Sequence, residues 1–210
     1  MNAPSESSEA RLTGWAGLQK IPNAKLEIFQ LRGFLDPDQC AALIDLIDAG
    51  RRPSTIADSN GDEYFRTSET CDLSDQEPVV QELERRLLAL SGIEAQFGEP
   101  VQGQRYDVGQ EFKPHTDYFA PGGQDYDTYC SVAGQRSWTF MVYLNEVASG
   151  GGTQFKALGK IFRPETGKLL CWNNRRVDGS VNPNSLHHGM KVRKGLKYVI
   201  TKWYREKPWG

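Results

Sequence analysis

The sequence lacks the features that mark a membrane-spanning, secreted or nucleic-acid-binding protein. No stretch of its 210 residues approaches the roughly 20 apolar residues that a membrane span requires. Residues 1–11 are polar and have neither a basic start nor an apolar run, so they do not resemble a secretory signal. The formal net charge of -2 gives no long-range attraction to nucleic acid or to anionic lipid. We therefore expect a cytoplasmic protein without membrane or nucleic-acid partners, and the oligomeric state stays open.

The chain is also poor in cysteine, and its few cysteines show no metal-binding spacing. Because they are widely separated, we expect free thiols that fill small spaces in the core. The four cysteines are Cys40, Cys71, Cys130 and Cys171.

The order of the predicted elements favours a mainly β fold with helices near its N-terminus. We expect a flexible tail over residues 1–23 that becomes ordered near Trp15 or Leu18, and a single domain over residues 24–210. A helix is predicted from Pro37 to about Ala49, capped by Asp36 and ended by Gly50. A second helix is predicted from about Ser74 to Leu90, with Val79 at the start of its apolar stripe.

After residue 91 the sequence changes to short runs separated by Gly, Pro and Asn, which is typical of strands and turns. Such a pattern predicts a double-stranded β-helix (jelly roll) buttressed by the N-terminal helices. The irregular segment from Phe119 to Gln135 is typical of a lid or an insertion. The predicted strands are Leu26 to Leu31, Val101 to Tyr106, Trp138 to Leu144, Thr153 to Phe155, Lys160 to Arg163, Lys168 to Trp172, Lys191 to Arg193 and Lys197 to Tyr204.

Histidine is scarce, and its placement points to a metal site. His115 and Asp117 form an H-x-D pair, whose side chains lie on the same side of an extended backbone. His187 from a distant strand completes a two-histidine, one-carboxylate set of the kind that binds iron(II) and leaves positions open for other ligands. His188 points the opposite way on a strand, and its role stays open. Taken alone, the H-x-D pair also fits a surface loop or a structural His–Asp hydrogen bond.

Lys197 follows His187 by ten residues, with a Lys194–Gly195 turn between them. We expect it on the next strand, deeper in the barrel, where a buried ammonium requires a carboxylate partner. By strand alternation Lys197, Val199, Thr201 and Trp203 share one face. Taken alone, Lys197 also fits a solvated strand lysine.

An ordered set of motifs from about Phe34 to Tyr204 resembles the prolyl 4-hydroxylase branch of the iron(II)/2-oxoglutarate-dependent dioxygenases. The resemblance covers most of the chain and is specific for the superfamily. The motifs are Phe34-Leu35-Asp36-Pro37-Asp38-Gln39-Cys40, Arg66-Thr67-Ser68, Tyr106-x-x-Gly109-Gln110, the H-x-D pair, Arg136 to Thr139, Tyr143-Leu144-Asn145, Gly150-Gly151-Gly152-Thr153, Ser185-Leu186-His187, Gly195-x-Lys197 and Trp203.

The resemblance implies roles for the residues at matching positions. His115, Asp117 and His187 match the iron ligands, and Lys197 matches the residue that pairs with the far carboxylate of 2-oxoglutarate. Tyr106 and Thr139 match positions lining the same pocket, and Trp203 matches a position near the substrate groove; packing in the core is the alternative for these three. We also expect Arg136 and Tyr118 to contact substrate, and no catalytic residue beyond the metal centre.

The implied activity is hydroxylation of a prolyl residue, at C4, in a peptide or protein. The implied cofactors are Fe(II), 2-oxoglutarate and O₂, with ascorbate as reductant, and the products include succinate and CO₂. For an extended substrate, Arg66-Thr67-Ser68 and Thr201-Lys202-Trp203 should flank the cavity mouth as a groove. Two alternatives remain at this stage: the same chemistry on a free amino acid or small metabolite, and a catalytically silent jelly roll that binds a metal or small ligand.

Overall fold

The computed structural model describes residues 10–54, 65–123 and 126–209. Helices and strands are numbered here in chain order, and residues 10–14 are also helical. The α-helices are α1 Pro37–Gly50, α2 Pro78–Ser91 and α3 Tyr126–Cys130. The strands are β1 Gln19–Lys20, β2 Ile28–Leu31, β3 Arg52–Pro53, β4 Glu69–Asp72, β5 Gln102–Tyr106, β6 Phe112–His115, β7 Arg136–Tyr143, β8 Ser149–Gly150, β9 Thr153–Phe155, β10 Lys160–Phe162, β11 Leu169–Asn173, β12 His187–Gly189, β13 Val192–Lys194 and β14 Lys197–Arg205.

The strands form two main antiparallel sheets. The major sheet has the strand order β1-β2-β11-β7-β14-β5-β4-β3, and the minor sheet has the order β10-β9-β12-β6. A two-stranded ribbon of β13 and β8 accompanies them. This mainly β architecture confirms the predicted jelly roll, which encloses its interior between the two sheets.

Alternation along the central strands divides the buried side chains into two layers. On β7, Trp138, Phe140 and Val142 belong to the apolar cluster that includes residues of α1 and α2. The intervening Met141 and Tyr143 belong to a second cluster shared with the minor sheet. Side chains of successive strand residues point to opposite faces, so the helices cover the outer face of the major sheet. Its inner face is free to build a site with the minor sheet.

Helix α1 begins as predicted at Pro37 and ends one residue later than expected. Asp36 accepts the Gln39 backbone N–H in a capping box. Gly50, predicted to end the helix, is its last residue, and the cap is Arg51 in an extended conformation. A Cβ on Gly50 would lie 2.8 Å from Cys71 Sγ, so glycine permits close packing here rather than a left-handed turn.

Helix α2 is shorter than predicted, because it begins at Pro78 rather than at Ser74. Proline suits the first turn, where its missing N–H has no partner in the helix. Its buried stripe starts at Val80, whereas Val79 is half-buried. The left-handed Gly92 closes the helix with a hydrogen bond to the Leu88 carbonyl.

Every predicted strand has a counterpart, and most ends shift by a residue or two. The short strands β1, β3, β4, β6 and β8 were not predicted, and β12 was expected only as a strand of unstated length that carries His187. They contain few residues, two of them include a proline, and they take their form from their hydrogen-bonded neighbours. A segment this short carries no hydrophobic alternation from which a strand could be predicted.

Two segments differ from the predicted organisation. Within the predicted tail, Leu12 is fully buried and β1 pairs with β2, so residues 10–23 pack onto the domain; residues 1–9 lie outside the described residues. The segment from Phe119 to Gln135 contains the short helix α3, and the Gln135 side-chain amide ties its two ends together through the Phe119 backbone. Within the described residues, no helix is long and apolar enough to cross a membrane.

Candidate metal centre

The minor sheet brings two histidines together at the centre of the barrel. His115 is the last residue of β6, and His187 is the first residue of β12, where the two are direct partners across the strands. Asp117 follows two residues after His115 and is buried. One ligand atom from each of the three residues lies within 4.8 Å of the others. The arrangement offers two imidazoles and one carboxylate to a single ion.

Backbone carbonyls fix the orientation of both imidazole rings. His115 Nδ1 lies 2.7 Å from the Lys113 carbonyl, and His187 Nδ1 lies 2.9 Å from the Ser185 carbonyl. Since a carbonyl only accepts, each Nδ1 donates, and the Nε2 atom of each ring is left to face the other members of the triad. Metal-binding histidines are held in this way. Burial, followed by the neighbouring His187, holds the pKa of His115 well below its ordinary value, which keeps it in the neutral form that binds metals.

Aromatic rings pack around the histidines. The Phe112 ring lies flat against His115, with centroids 3.4 Å apart and planes 14° from parallel. Phe155 stacks on His187 at 5.4 Å, and Trp172 meets the same imidazole edge-on at 4.9 Å. These contacts restrict the rotation of both rings and exclude water from their faces.

His188 points away from the triad. Its Nε2 atom lies 3.0 Å from Glu111 Oε2, and Lys191 Nζ lies 3.3 Å from the other oxygen of the same carboxylate. This placement follows from strand alternation, by which neighbouring residues point to opposite sides, and leaves His188 in a charge cluster outside the triad.

Asp117 is held by a residue of the facing sheet. Thr139 Oγ1 donates to Asp117 Oδ2 at 2.7 Å, while Asp117 Oδ1 lies 3.9 Å from His115 Nε2. Thr139 was predicted to line the co-substrate pocket, but it lies under the carboxylate and does not line the cavity. The sequence carries no register, so it did not reveal that Thr139 is opposite Asp117.

A cavity extends from the triad between the two sheets. Its lining includes the triad, Lys197, Tyr106 and Trp203, as predicted, and several residues that the sequence analysis missed. Alternation along β5, β7 and β11 was the signal that could have placed Gln104, Met141 and Trp172 inside. The lining residues are Gln104, Tyr106, Phe112, His115, Asp117, Met141, Thr153, Trp172, His187, Gly189, Lys197, Val199, Thr201 and Trp203.

Lys197 is the buried cation of this cavity. It is 2% exposed, and its Nζ atom lies over the rings of Tyr106 and Tyr143, 4.8 and 5.7 Å from their centroids. Among the described residues, no carboxylate lies within ion-pair distance of it. Burial lowers its pKa to about 7. Lys197 lies on the major sheet, facing the minor sheet that carries His187, rather than on the strand next to His187 as expected.

Tyr106 forms the wall beside Lys197. It pairs directly with Lys197 across β5 and β14, and its hydroxyl donates to Gln104 Oε1 at 2.8 Å. Burial raises the pKa of this phenol, so it stays protonated and able to donate.

Of the three residues predicted to contact substrate, Trp203 alone lines the cavity. Arg136 lies over the Trp203 ring at 4.1 Å and forms two hydrogen bonds of 2.6 Å to the Glu99 carboxylate. Its guanidinium is therefore already engaged within the protein, on a carboxylate that also pairs with Arg205. Tyr118 is half-buried and does not line the cavity.

Two aromatic side chains of the segment from Phe119 to Gln135 contact each other within the protein. Phe119 and Tyr129 stack on each other with centroids 5.0 Å apart. Lys202, expected at the cavity mouth, points to the opposite face of β14 and pairs with Glu84. Alternation along β14 accounts for this difference, because Lys202 is one residue out of phase with Thr201 and Trp203.

Comparison with known proteins places this geometry in a family. Residues 101–205 match the model of the 2OG-Fe(II) oxygenase superfamily. The chain is 32% identical to prolyl 4-hydroxylase 1 of Arabidopsis thaliana, over 91% of this chain and 76% of that protein. It is 27% identical to a putative prolyl 4-hydroxylase of Acanthamoeba polyphaga mimivirus, over 85% and 74% of the two chains.

Solved structures give a similar result. The viral collagen prolyl hydroxylase of Paramecium Bursaria Chlorella virus-1, in its 2OG complex, superposes with a TM-score of 0.64 and 26% identity, covering 87% of this chain and 97% of that chain. A prolyl-4-hydroxylase of Pseudomonas putida shares the fold, with a TM-score of 0.59 at 19% identity over 86% and 92% of the two chains.

Proposed function

This chain belongs to the prolyl 4-hydroxylase branch of the 2OG-Fe(II) oxygenase superfamily, and we propose that it hydroxylates prolyl residues of a peptide or protein at C4. Iron(II), 2-oxoglutarate and O₂ serve the reaction, with succinate and CO₂ as further products. Ascorbate is proposed as the reductant that keeps the iron in its divalent state.

The residues present fit the metal and the co-substrate. His115, Asp117 and His187 provide the nitrogen and oxygen donors of a two-histidine, one-carboxylate site. Lys197 provides a buried ammonium without a carboxylate partner among the described residues, which is the complement of a dicarboxylic acid. This unmatched lysine in the metal cavity is the observation that carries the proposal, because a site that only holds a metal does not require it.

The bound metal and co-substrate supply the oxidation, which the side chains cannot perform. The protein residues bind and orient. Lys197 pairs with the distal carboxylate, and Tyr106 and Gln104 form a polar wall beside it. The stacked rings of Phe112 and His115 keep the approach to the metal dry.

Two cation–aromatic pairs frame the side of the site where a peptide would lie. Arg66 lies 4.9 Å from the Phe112 ring centroid, and Arg136 lies 4.1 Å from that of Trp203. Both rings line the cavity. Because His115 and Arg66 already lie against Phe112, Trp203 provides the flat aromatic face for a proline ring. Prolyl segments are already extended, which lowers the ordering cost of binding.

Arg66 adds hydrogen-bond donors to this edge. Its guanidinium bonds to neutral partners, Ser68 Oγ, Thr70 Oγ1 and Gln102 Oε1, at 3.1, 3.0 and 2.9 Å. Within the described residues, no carboxylate lies within ion-pair distance of it, and burial lowers its pKa. A peptide carbonyl is a suitable acceptor for such a group and so is the carboxylate of a free amino acid, so Arg66 can hold either substrate and the test below separates them.

The test compares substrates under one set of conditions. Purified protein with iron(II), ascorbate and 2-oxoglutarate is given a proline-rich peptide, the same peptide with alanine for proline, or free proline. We expect the mass of one oxygen only on the proline-rich peptide, and amino-acid analysis after hydrolysis should give 4-hydroxyproline. Oxidation of free proline alone would replace the peptide substrate by a small metabolite and leave the oxygenase chemistry in place.

A further inference from the structure

Asn174, directly after β11, is fully buried on the far side of Thr139 from the metal site. Its Nδ2 atom donates to Thr139 Oγ1 at 2.9 Å. Its backbone is fixed on both sides, because its N–H donates to the Ser137 carbonyl and its own carbonyl accepts from Asn182. The side-chain amide therefore projects from an anchored position.

The donors and acceptors along the series Asn174, Thr139 and Asp117 determine where the hydroxyl proton of Thr139 lies. An amide nitrogen only donates, so Thr139 Oγ1 accepts from Asn174. A threonine hydroxyl has one proton, and the 2.7 Å contact with Asp117 Oδ2 requires a proton between the two oxygens. Asn174 thus directs the hydroxyl proton of Thr139 onto Asp117.

This hydrogen bond leaves the two oxygens of Asp117 unequal. Oδ2 accepts from Thr139, whereas Oδ1 lies beside His115 Nε2, 3.9 Å away. A carboxylate that used both oxygens would occupy two positions around a metal and leave fewer for a bidentate co-substrate and O₂.

Resting on the proposed metal centre, we propose that Asn174 is a positioning residue that acts through Thr139 to make Asp117 a one-oxygen ligand. Asn174 touches neither the metal nor the substrate. It sets the direction of a single hydroxyl, and that hydroxyl selects Oδ1 as the metal-binding atom.

The chain offers a matched control in the preceding residue. Asn173, the last residue of β11, is also a buried asparagine, but its Nδ2 atom donates to Glu27 Oε2 at 2.8 Å, away from Asp117. Replacing Asn173 by alanine removes a buried amide from the same strand without touching the hydrogen bonds of Asp117.

The experiment titrates each protein with cobalt(II) and records its visible d–d absorption, which reports the number and geometry of the ligands. Asn174→Asp exchanges a donor for an acceptor of nearly the same shape, so Thr139 donates to the new carboxylate and Asp117 Oδ2 loses its proton donor. We expect Asn174→Asp and Thr139→Val to change the spectrum and to weaken cobalt binding by about 10–100-fold, as loss of an outer hydrogen bond to a metal ligand does. Thr139→Ser and Asn173→Ala should keep the parent spectrum.

Parent-like spectra and affinities for folded Asn174→Asp and Asn174→Ala would overturn the proposal. If the Asn174 variants do not fold, the comparison of Thr139→Val with Thr139→Ser decides. A parent-like spectrum of the valine variant would show that the Thr139 hydroxyl does not position Asp117, which overturns the proposal. A parent protein that binds no cobalt would overturn the metal centre itself. A protein that binds cobalt but leaves prolyl peptides unmodified would overturn only the substrate.

Discussion

Lys197 and Tyr106 are direct partners across β14 and β5, and the lysine Nζ atom lies 4.8 Å from the centroid of the tyrosine ring. The ring face attracts a cation without neutralising it. A buried ammonium in this position raises the free energy of the ligand-free protein and lowers that of a complex with a dianion. The pair therefore links co-substrate binding to the stability of the fold.

Lys197→Met should weaken 2-oxoglutarate binding by about thirtyfold or more, because truncating one member of a buried charge pair costs about 2–5 kcal/mol. Cobalt affinity should stay at the parent value, since the triad is untouched. Calorimetric titration of the cobalt protein with 2-oxoglutarate gives both answers. The control is Lys168→Met: Lys168 is equally buried but pairs with Glu165 at 2.7 Å. This variant should lose stability and keep its 2-oxoglutarate affinity.

The affinity for 2-oxoglutarate should fall as the pH rises above about 7, the value to which burial lowers the pKa of Lys197. Below that pH the lysine is already protonated. Above it, binding the dianion requires uptake of a proton, and the dissociation constant should rise about tenfold per pH unit. Titrations in buffers of different ionisation enthalpy measure this proton uptake. A parent protein that takes up no proton on binding 2-oxoglutarate at pH 8 to 9 would contradict the pairing of Lys197 with the co-substrate.

The same pKa shift determines whether the stability of the protein rises or falls with pH. The pKa of Lys197 is lower in the folded state than its ordinary value of 10.5, so between about pH 7 and 10.5 the unfolded chain binds more protons. The contribution of Lys197 to the free energy of unfolding of the ligand-free protein should therefore rise with pH across this window. Denaturant unfolding at several pH values should show this slope in the parent and lose it in Lys197→Met.

His187→Ala and His188→Ala form a second matched pair. The first removes a member of the triad, and the second removes the partner of Glu111 outside it. We expect His187→Ala to weaken cobalt binding by more than the roughly 10–100-fold that follows loss of an outer partner. His188→Ala should bind cobalt as the parent does, and the reverse outcome would exchange the two roles.

Three indole N–H groups are buried without a hydrogen-bond partner among the described residues: those of Trp138, Trp172 and Trp203. Trp172 and Trp203 line the cavity, whereas Trp138 belongs to the apolar layer beneath the helices. Because an unpaired buried donor is costly, ligands of the cavity should engage the indole N–H groups of Trp172 and Trp203. Saturating zinc is added together with either 2-oxoglutarate or peptide, and a spectrum of ¹⁵N-labelled indoles is recorded. The signal of Trp172 or Trp203 should shift, and the signal of Trp138 should stay in place. Assignment by Trp→Phe variants identifies each signal.

The sequence predicted the metal ligands and Lys197 better than it predicted the residues that support them. Spacing together with the family resemblance predicted that His115, Asp117, His187 and Lys197 share one cavity, and all four line it. Spacing alone left a surface loop and a solvated lysine as alternatives, although alternation along a strand survives small errors in its ends. Thr139 and Lys197 were misplaced in detail, since their positions depend on which strands pair and which sheets face each other. That information lies in long-range register, for example Trp203 opposite Thr139.

The N-terminal segment and the loop show a different limit. Leu12 is an isolated apolar residue in a polar stretch, and no local pattern indicates that it is fully buried. The loop from Phe119 to Gln135 has the composition of an irregular insertion, but Gln135 and Arg205 bind its backbone. In both cases tertiary contacts determine the structure, and the local sequence does not describe them.

Strand β14 is buried along its whole length and carries Lys197 at one end and Trp203 near the other. At about 3.3 Å per residue, the stretch between them spans roughly 20 Å of backbone held on both edges by β5 and β7. The strand thus sets a fixed distance between Lys197, which anchors the co-substrate, and the side of the cavity that receives the substrate. A change in the loops near Trp203 would alter the substrate side of the cavity without moving the lysine at the other end of the strand.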